Sequence, residues 1–163
     1  MWFLCLEYVS QCTLADLIKE NGGYLSESNA GSFFVQMVDT LKYIKSKKVA
    51  HRDIKIENML VNEQFLIKFA DFGFASLSKE IEKQQMGTPI YVAPEIIEGK
   101  EYMGERVDVF SCGVVLFIML TGRYPFYCAT LEDKRYNLLM QKKISEYWKT
   151  FEGKISEPLS TEA

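Results

Sequence analysis

The sequence predicts an α+β fold that is mainly helical, and three stretches carry this prediction. Residues 28–48 place apolar side chains at helical spacing, and residues 107–120 form an apolar run with the length of a buried helix. Between them, short apolar segments at 59–61 and 65–69 are joined by NEQ, which is typical of a β-hairpin. This order indicates a helical lobe with a small hairpin at one edge.

The first predicted elements are short. Residues 1–9 are rich in strand-forming side chains and predict a strand. Thr13 is a candidate N-cap for a helix over TLADLIKE, and the NGG that follows marks a turn. The helix at 28–48 ends in a cluster of lysines, where cations suit the helix dipole.

The second half of the chain continues the helical pattern. Residues 74–90 are polar and lack periodicity, which predicts a long loop. Pro94 and the EIIEG after it predict a short helix, and the apolar helix at 107–120 stops at TGRYP. Residues 133–149 predict a last amphipathic helical region.

The composition is that of one ordinary folded domain. Of 163 residues, 48% are hydrophobic and 25% are charged, so a sizeable core is possible. The net charge of -3 leaves no excess of basic side chains, and we expect no nucleic-acid partner. The four cysteines show no metal-ligand spacing, which favours idle thiols in a reducing compartment.

The sequence also argues against a membrane location. Its longest uncharged apolar run, residues 112–120, is about half of the ~20 residues needed to cross a bilayer. The start lacks a basic leader and carries Glu7, unlike a secretory signal. We expect a soluble, cytoplasmic protein without a membrane partner, and the oligomeric state stays open.

Three motifs follow one another along the chain. They are HRDIKIEN at residues 51–58, DFG at 71–73 and APE at 93–95. In these motifs the chain resembles the eukaryotic protein kinases, and the lysine within HRDIKIEN together with GTP at 87–89 resembles the serine/threonine type. Single residues of the motifs also suit turns or the surface, but no structural rule requires the three motifs in succession.

The resemblance implies a protein kinase-like fold of which only part is present. Residues 1–12 correspond to the last strand of the small N-terminal lobe and the hinge, and residues 13–163 correspond to an incomplete large C-terminal lobe. The glycine-rich loop, the strand lysine and its glutamate partner have no counterpart, so the N-terminal lobe is largely missing. We therefore expect a fragment or truncated gene product that is inactive as an isolated chain.

Five polar residues receive catalytic roles from the resemblance. Asp53 is the candidate base that orients the acceptor hydroxyl, and Lys55 would neutralise the phosphate in transfer. Asn58 and Asp71 offer the hard oxygen ligands that Mg²⁺ requires. Thr88 would bridge Asp53 and Lys55 by its hydroxyl. The implied cofactors are ATP and Mg²⁺, and the implied partner is a protein substrate with a serine or threonine acceptor.

The resemblance also implies an adenine site. The segment LEYV at 6–9 matches the hinge, whose first residue is the gatekeeper and whose second and fourth residues meet adenine through their backbone. A hairpin residue would form the floor under the purine, and another would lie just before the metal-binding aspartate. The cofactor-binding residues implied in this way are Leu6, Glu7, Val9, Leu60, Ala70 and Asp71.

Two further residues have structural expectations. The resemblance implies that His51, the single histidine of the chain, packs in the core under Phe72. It also implies that Asp108 holds backbone amides of the catalytic loop, since a carboxylate buried without donors would be costly.

Arg52 poses a question of charge. In the kinases that the chain resembles, this arginine usually receives a phosphate from the following loop, but the matching position here is a glutamine, which cannot be phosphorylated. Our hypothesis is that Glu80 or Glu82 supplies a permanent negative partner for Arg52. Modification at Ser76 or Ser78 is one alternative, and a solvated acidic loop is another.

The sequence predicts substrate preference only in part. Kinases that favour basic residues before the acceptor place carboxylates at the positions of Thr13, Glu57 and Ile118, and only Glu57 fits. We expect a weak basic preference at most. Pro89 and Val92 are expected to form a mildly apolar pocket for the residue after the acceptor.

Three interpretations stay open. An active serine/threonine kinase is favoured because every catalytic residue of the large lobe is present. A non-catalytic, pseudokinase-like binding module would keep the surface without the chemistry. A non-functional gene remnant would give an unfolded or aggregated product.

Overall fold

The computed structural model describes residues 3, 5–9, 12–77 and 81–151. Within these residues the fold is mainly helical with short antiparallel strands, as predicted. The helices are α1 (Leu14–Glu20), α2 (Glu27–Ser46), α3 (Pro94–Ile97), α4 (Gly104–Thr121), α5 (Lys134–Met140) and α6 (Ile144–Lys149). The strands are β1 (Cys12–Thr13), β2 (Val49–Ala50), β3 (Met59–Val61), β4 (Ile67–Phe69), β5 (Ser76–Leu77), β6 (Ile81–Glu82) and β7 (Tyr102–Met103).

The strands form three small antiparallel sheets. β3 lies between β1 and β4, so the hairpin of β3 and β4 is joined by the residues that precede α1. β2 pairs with β5, and β6 pairs with β7. The predicted long loop at 74–90 therefore contributes two short strands, one to each of the two-stranded sheets.

The core lies between α2 and α4. Met37 of α2 and Val115 and Met119 of α4 are fully buried, and burying such a side chain contributes about 1.5–3 kcal/mol. The backbone N–H of Leu25, just before α2, donates to the carbonyl of Met119 at 2.7 Å. These contacts make α4 the rigid support on which the loops of the site rest.

The predicted cap of α1 is confirmed. The Thr13 hydroxyl oxygen accepts a hydrogen bond from the Asp16 N–H, and the Asp16 carboxylate accepts from the Thr13 N–H, which completes a capping box. α2 begins at Glu27 because Ser26 provides its N-cap, slightly ahead of the predicted start.

The hairpin is confirmed, but its second strand begins later than predicted. The Asn62 side chain accepts hydrogen bonds from the backbone N–H groups of Gln64 and Leu66, and Phe65 has a left-handed backbone with φ of 56°. Residues 65 and 66 therefore belong to the turn, and β4 starts at Ile67.

The last helical region is divided, although its pattern predicts one element. Lys142 adopts φ of 57°, and the N–H groups of Lys142 and Lys143 donate to the carbonyls of Leu139 and Leu138. This is a Schellman end to α5 with lysine where glycine is usual. α6 starts immediately afterwards, at Ile144.

The strand predicted for residues 1–9 is wrong where the structure describes it. Residues 3 and 5–9 have no strand conformation, because none of the described strands lies beside them to complete a ladder. The remaining residues of this segment lie outside the described ones. α4 begins at Gly104, earlier than its apolar pattern alone predicts.

No helix in the described ranges has the length and apolar character required to cross a bilayer.

Candidate active site

The loop at residues 51–58 is anchored to α4 by Asp108. The two carboxylate oxygens of Asp108 accept hydrogen bonds from the backbone N–H groups of His51 and Arg52, at 2.8 and 2.7 Å. Burial raises the pKa of Asp108, and the two N–H donors oppose that rise. The expected role of Asp108 is confirmed, and it fixes the start of the loop to the most buried helix.

His51 packs in the core as expected. Its ring lies 4.6 Å from the ring of Phe72, and its Nε2 is 2.9 Å from the carbonyl oxygen of Ala70. Its Nδ1 accepts a hydrogen bond from the backbone N–H of Asp53. These partners assign the ring proton to Nε2, since the carbonyl needs a donor and the N–H needs an acceptor. The ring thus ties the DFG segment to the backbone of Asp53.

Asp53 is held by two neighbours of the same loop. One carboxylate oxygen, Oδ2, accepts from the Lys55 ammonium at 2.7 Å and from the Asn58 amide at 2.8 Å. Among the described residues no hydrogen bond reaches the other oxygen, Oδ1. The side chain of Asp53 is only 3% exposed, so its orientation is set by these bonds. The loop therefore presents one fixed carboxylate with one occupied and one free oxygen.

Asn58 and Asp71 are brought together by the hairpin register. β3 and β4 pair Met59 with Phe69, and the N–H of Ala70 donates to the carbonyl of Asn58 at 2.9 Å. The backbones of Asn58 and of Ala70, which precedes Asp71, are therefore joined at one end of the hairpin. This places the two predicted metal ligands near the same end.

The oxygens of this pair suit Mg²⁺. Because the Asn58 amide nitrogen donates to Asp53, the amide oxygen of Asn58 points away from that bond. Asp71 has a left-handed backbone with φ of 59°, and its carboxylate accepts from the N–H of Gly73. Mg²⁺ usually takes one or two protein oxygens and completes its shell with water and phosphate. The donor set fits that mode of binding.

The predicted bridge through Thr88 is not present. Thr88 lines the same narrow cleft as Asp53, but Lys55 reaches Asp53 directly. Within the described part of the chain, the Thr88 hydroxyl makes no hydrogen bond to either residue. A direct ion pair is the shorter connection because Lys55 lies two residues from Asp53 on the same loop.

The adenine-site residues are only partly assembled. Glu7 of the predicted hinge forms an ion pair with Lys68 of β4 at 3.3 Å, and Lys68 is paired in register with Leu60 of β3. Leu60 and Ala70 are half-buried, as residues lining a cleft would be, and Val9 is half-buried too. Leu6, the predicted gatekeeper, is 74% exposed.

Arg52 forms an ion pair with Glu82, one of its two predicted partners. Arg52 Nη1 lies 3.0 Å from Glu82 Oε2, and the Arg52 Nε–H donates to the carbonyl of Phe74 at 2.7 Å. Glu80, the other candidate, and Ser78 lie outside the described residues. The Ser76 hydroxyl is buried, and none of the described residues provides it with a hydrogen-bond partner. The contact with Phe74 is one that the sequence pattern did not reveal.

The residues with expected substrate roles have defined neighbours in the structure. Tyr91 donates to the carboxylate of Glu57 at 3.5 Å, and burial, followed by the charge of Glu57, raises the pKa of Tyr91. Pro89 and Val92 line a common cavity of about 340 Å³. Other residues that line this cavity are Met86, Ile96 and Ile97.

Several known kinases are similar to this chain. CBL-interacting protein kinase 31 of Oryza sativa subsp. japonica is 39% identical over 149 residues, which cover 88% of this chain and 32% of that protein. CBL-interacting serine/threonine-protein kinase 8 of Arabidopsis thaliana is 43% identical over 127 residues, which cover 76% of this chain and 28% of that protein. Serine/threonine-protein kinase GIN4 of Saccharomyces cerevisiae is 44% identical over 126 residues, which cover 76% of this chain and 11% of that protein.

The chain spans about a third or less of the length of these three relatives. Residues 1–163 match the family described as the protein kinase domain. The loop anchored by Asp108, the fixed carboxylate of Asp53 and the oxygen pair at the hairpin end all agree with this match. The chain therefore belongs to the protein kinase domain family.

Proposed function

We propose that this chain is the large-lobe part of a serine/threonine protein kinase, which transfers the γ-phosphoryl group of ATP to a protein hydroxyl. The observation that carries the proposal is the state of the Asp53 carboxylate. Lys55 and Asn58 both bind Oδ2, so the free Oδ1 can accept the proton of an incoming serine or threonine. A bound MgATP would supply the phosphoryl group.

The neighbours of Asp53 serve the same transfer. Lys55 holds an ammonium at the place where negative charge develops, while its bond to Asp53 keeps the carboxylate oriented. The oxygens of Asn58 and Asp71 would hold Mg²⁺. Leu60, Ala70 and the backbone of Glu7 and Val9 would border the nucleotide.

Thr88 has a role in the proposal as a residue that borders the acceptor site. It lines the cleft that contains Asp53, so it would limit the approach of the acceptor residue. The cavity beside Pro89 and Val92 would take an apolar side chain after the acceptor. Glu57 alone would give a weak preference for a basic residue before it, because its carboxylate is already shared with Tyr91.

The compartment is part of the same proposal. All four cysteines, Cys5, Cys12, Cys112 and Cys128, are free thiols. Unpaired thiols are usual in the reducing cytoplasm and support a cytoplasmic kinase.

The test uses the full-length protein that contains this chain. Asp53→Asn keeps the size of the side chain and removes the proton acceptor, and we expect transfer to serine/threonine peptides to fall by about 10²–10⁴-fold. Nucleotide binding, measured by calorimetry, should be retained. The matched control is Asp39→Asn, since Asp39 is exposed and forms a surface ion pair with Lys42 at 3.0 Å.

The outcomes separate the open interpretations. Loss of transfer in Asp53→Asn alone supports the kinase, and equal transfer by Asp53→Asn and the wild type contradicts the role of Asp53. A folded wild type that binds ATP and transfers nothing would instead be a binding module. Phosphoamino-acid analysis of the product distinguishes serine and threonine from tyrosine.

A further inference from the structure

We infer that Glu82 is a built-in positioning residue for phosphoryl transfer, acting on Asp53 through Arg52 without any modification of the chain. This inference rests on the proposed function and adds a residue to it. In this inference the Glu82 carboxylate keeps the loop at 51–58, which contains Asp53, in a fixed position relative to the DFG segment.

The contact between Arg52 and Glu82 is largely shielded from water. The side chains of Arg52 and Glu82 are 7% and 18% exposed, respectively. The Nη1 atom of Arg52 is buried and has no well-aligned hydrogen bond to the described residues, so the carboxylate 3.0 Å away is what compensates its charge. Removing the charge of Glu82 would leave a buried guanidinium without its counterion, which is costly.

Glu82 is fixed from outside the site. It lies in β6 and is paired in register with Tyr102 of β7, directly before α4. The Tyr102 hydroxyl donates to the carbonyl of Gln84 at 2.7 Å, which holds the chain just beyond Glu82. The carboxylate is therefore presented by a backbone that is already attached to the start of α4.

Arg52 transmits this placement to the base. Its backbone has φ of 65°, a conformation that L-residues rarely adopt, and its N–H is held by Asp108. Its Nε–H binds the carbonyl of Phe74, which lies just after DFG. Asp53 follows Arg52 directly, so a movement of the Arg52 side chain and backbone would displace the free oxygen of Asp53.

Gly104 makes the arrangement possible. A Cβ at this position would lie 3.4 Å from Cγ and Cδ of Arg52 and 2.5 Å from the Cβ of Ala50. The first residue of α4 is thus a glycine where the Arg52 side chain passes close to the helix. This glycine leaves room for the aliphatic part of Arg52, and β6 supplies the carboxylate that pairs with its guanidinium.

The alternative of a modified serine is disfavoured at Ser76. Its hydroxyl is buried in β5, which is paired with β2, and a modifying enzyme could not reach it without opening that sheet. Modification of Ser78 remains as the competing explanation and is separated from ours by experiment.

The experiment compares five forms of the full-length protein, one of which is Ser78→Ala, and each is assayed before and after treatment with a phosphatase. Glu82→Gln should lower kcat by about ten- to a hundredfold, because a shift of about 1 Å in a reacting group can cost a hundredfold. The KM for ATP should stay within about twofold, since Glu82 does not border the nucleotide. Glu82→Asp should recover most of the activity, and Glu101→Gln, at an exposed glutamate beside β7, should match the wild type.

A second measurement does not depend on turnover. In a protein labelled with ¹⁵N at arginine, the Arg52 Nε–H should exchange slowly with solvent in the wild type and in Glu101→Gln. It should exchange faster in Glu82→Gln, because the guanidinium loses its counterion and leaves Phe74.

Each result decides something different. An active, phosphatase-treated wild type that is matched by Glu82→Gln in kcat and in exchange overturns the inference and leaves the proposed function intact. Loss of wild-type activity after phosphatase, or in Ser78→Ala, also overturns it in favour of modification. A folded wild type that transfers nothing before or after treatment overturns the proposed function itself.

Discussion

The backbone N–H of Arg52 donates to the carboxylate of Asp108 at 2.7 Å, which joins two residues that are 56 positions apart in the sequence. The other oxygen of Asp108 accepts from the N–H of His51. Since one buried side chain satisfies two consecutive amides, the loop at 51–58 cannot move independently of α4.

Asp108→Asn should weaken both the fold and the site. An amide has one acceptor oxygen, so its NH₂ group would face a backbone donor in a buried position, and we expect a loss of about 1–3 kcal/mol in the free energy of unfolding. Urea denaturation measures this loss. Asp39→Asn, at the surface of α2, is the control and should change stability by less than about 0.5 kcal/mol. An equal effect of the two substitutions would refute the anchoring role.

Gly104→Ala and Gly113→Ala should have opposite effects although both lie in α4. A Cβ at Gly104 would be 2.5 Å from that of Ala50, so we expect destabilisation by about 1–3 kcal/mol. A Cβ at Gly113 would have no atom of the described residues within 4 Å apart from its own helix backbone, and alanine should stabilise the helix by up to about 1 kcal/mol. Thermal or urea unfolding of the two variants measures these changes in stability. Similar shifts in both would mean that the contact between Gly104 and Ala50 is not tight.

Cys112 should be inert to thiol reagents in the folded protein. Burial, with the nearby Asp108 charge as a lesser cause, raises the pKa of Cys112 to about 12. At pH 8 only about one molecule in ten thousand would carry the reactive thiolate. We expect a disulfide reagent to label the exposed Cys5 quickly and Cys112 only after urea is added, as peptide mapping by mass spectrometry would show. Rapid labelling of Cys112 without denaturant would contradict the packing of α4.

The cap of α1 should give a pH-dependent part of the stability. Hydrogen bonds from the hydroxyl and the N–H of Thr13 lower the pKa of Asp16 below its usual 3.8. A lowered pKa means that the folded state favours the ionised form, so this contribution is present above pH 3.8 and is lost as the pH falls through the folded-state pKa.

Comparison of the wild type with Asp16→Asn isolates this effect. The difference between their free energies of unfolding should be largest near neutral pH and should shrink on acidification below about pH 4. Calorimetry at a series of pH values measures it. A difference that stays constant down to pH 2 would show that the ionised form of Asp16 has no special role in the cap.

The parts of the fold that follow from local chemistry were predictable. Thr13 and Asp16 have the types and spacing of a capping box, and the α2 and α4 patterns are long enough to identify. The ends of elements were less predictable where a residue adopts an unusual backbone. Phe65 and Lys142 both have positive φ, and neither is a type that signals a turn.

For the candidate site, the sequence indicated the polar residues but not their pairing. The resemblance placed Asp53, Lys55 and Asn58 in one loop, but it implied that the Thr88 hydroxyl connects Asp53 with Lys55. In the structure the Lys55 ammonium contacts Asp53 directly. Whether it can do so depends on the backbone angles of the loop, which residue spacing does not specify. For Arg52 the sequence offered Glu80 or Glu82 as a partner, with modification of Ser76 or Ser78 and a solvated loop as alternatives. In the structure Glu82, held in β6 by its pairing with β7, lies beside the guanidinium.

The carboxylate of Asp53 has a consequence for the kind of residue that can occupy this position. In solution the two oxygens of an aspartate interchange freely by rotation of the terminal group, but here such a turn would break the bonds from Lys55 and Asn58 together. The surroundings thereby make two chemically identical oxygens inequivalent. A glutamate, with one more rotatable bond and a longer reach, would carry the same charge without this fixed difference between its oxygens.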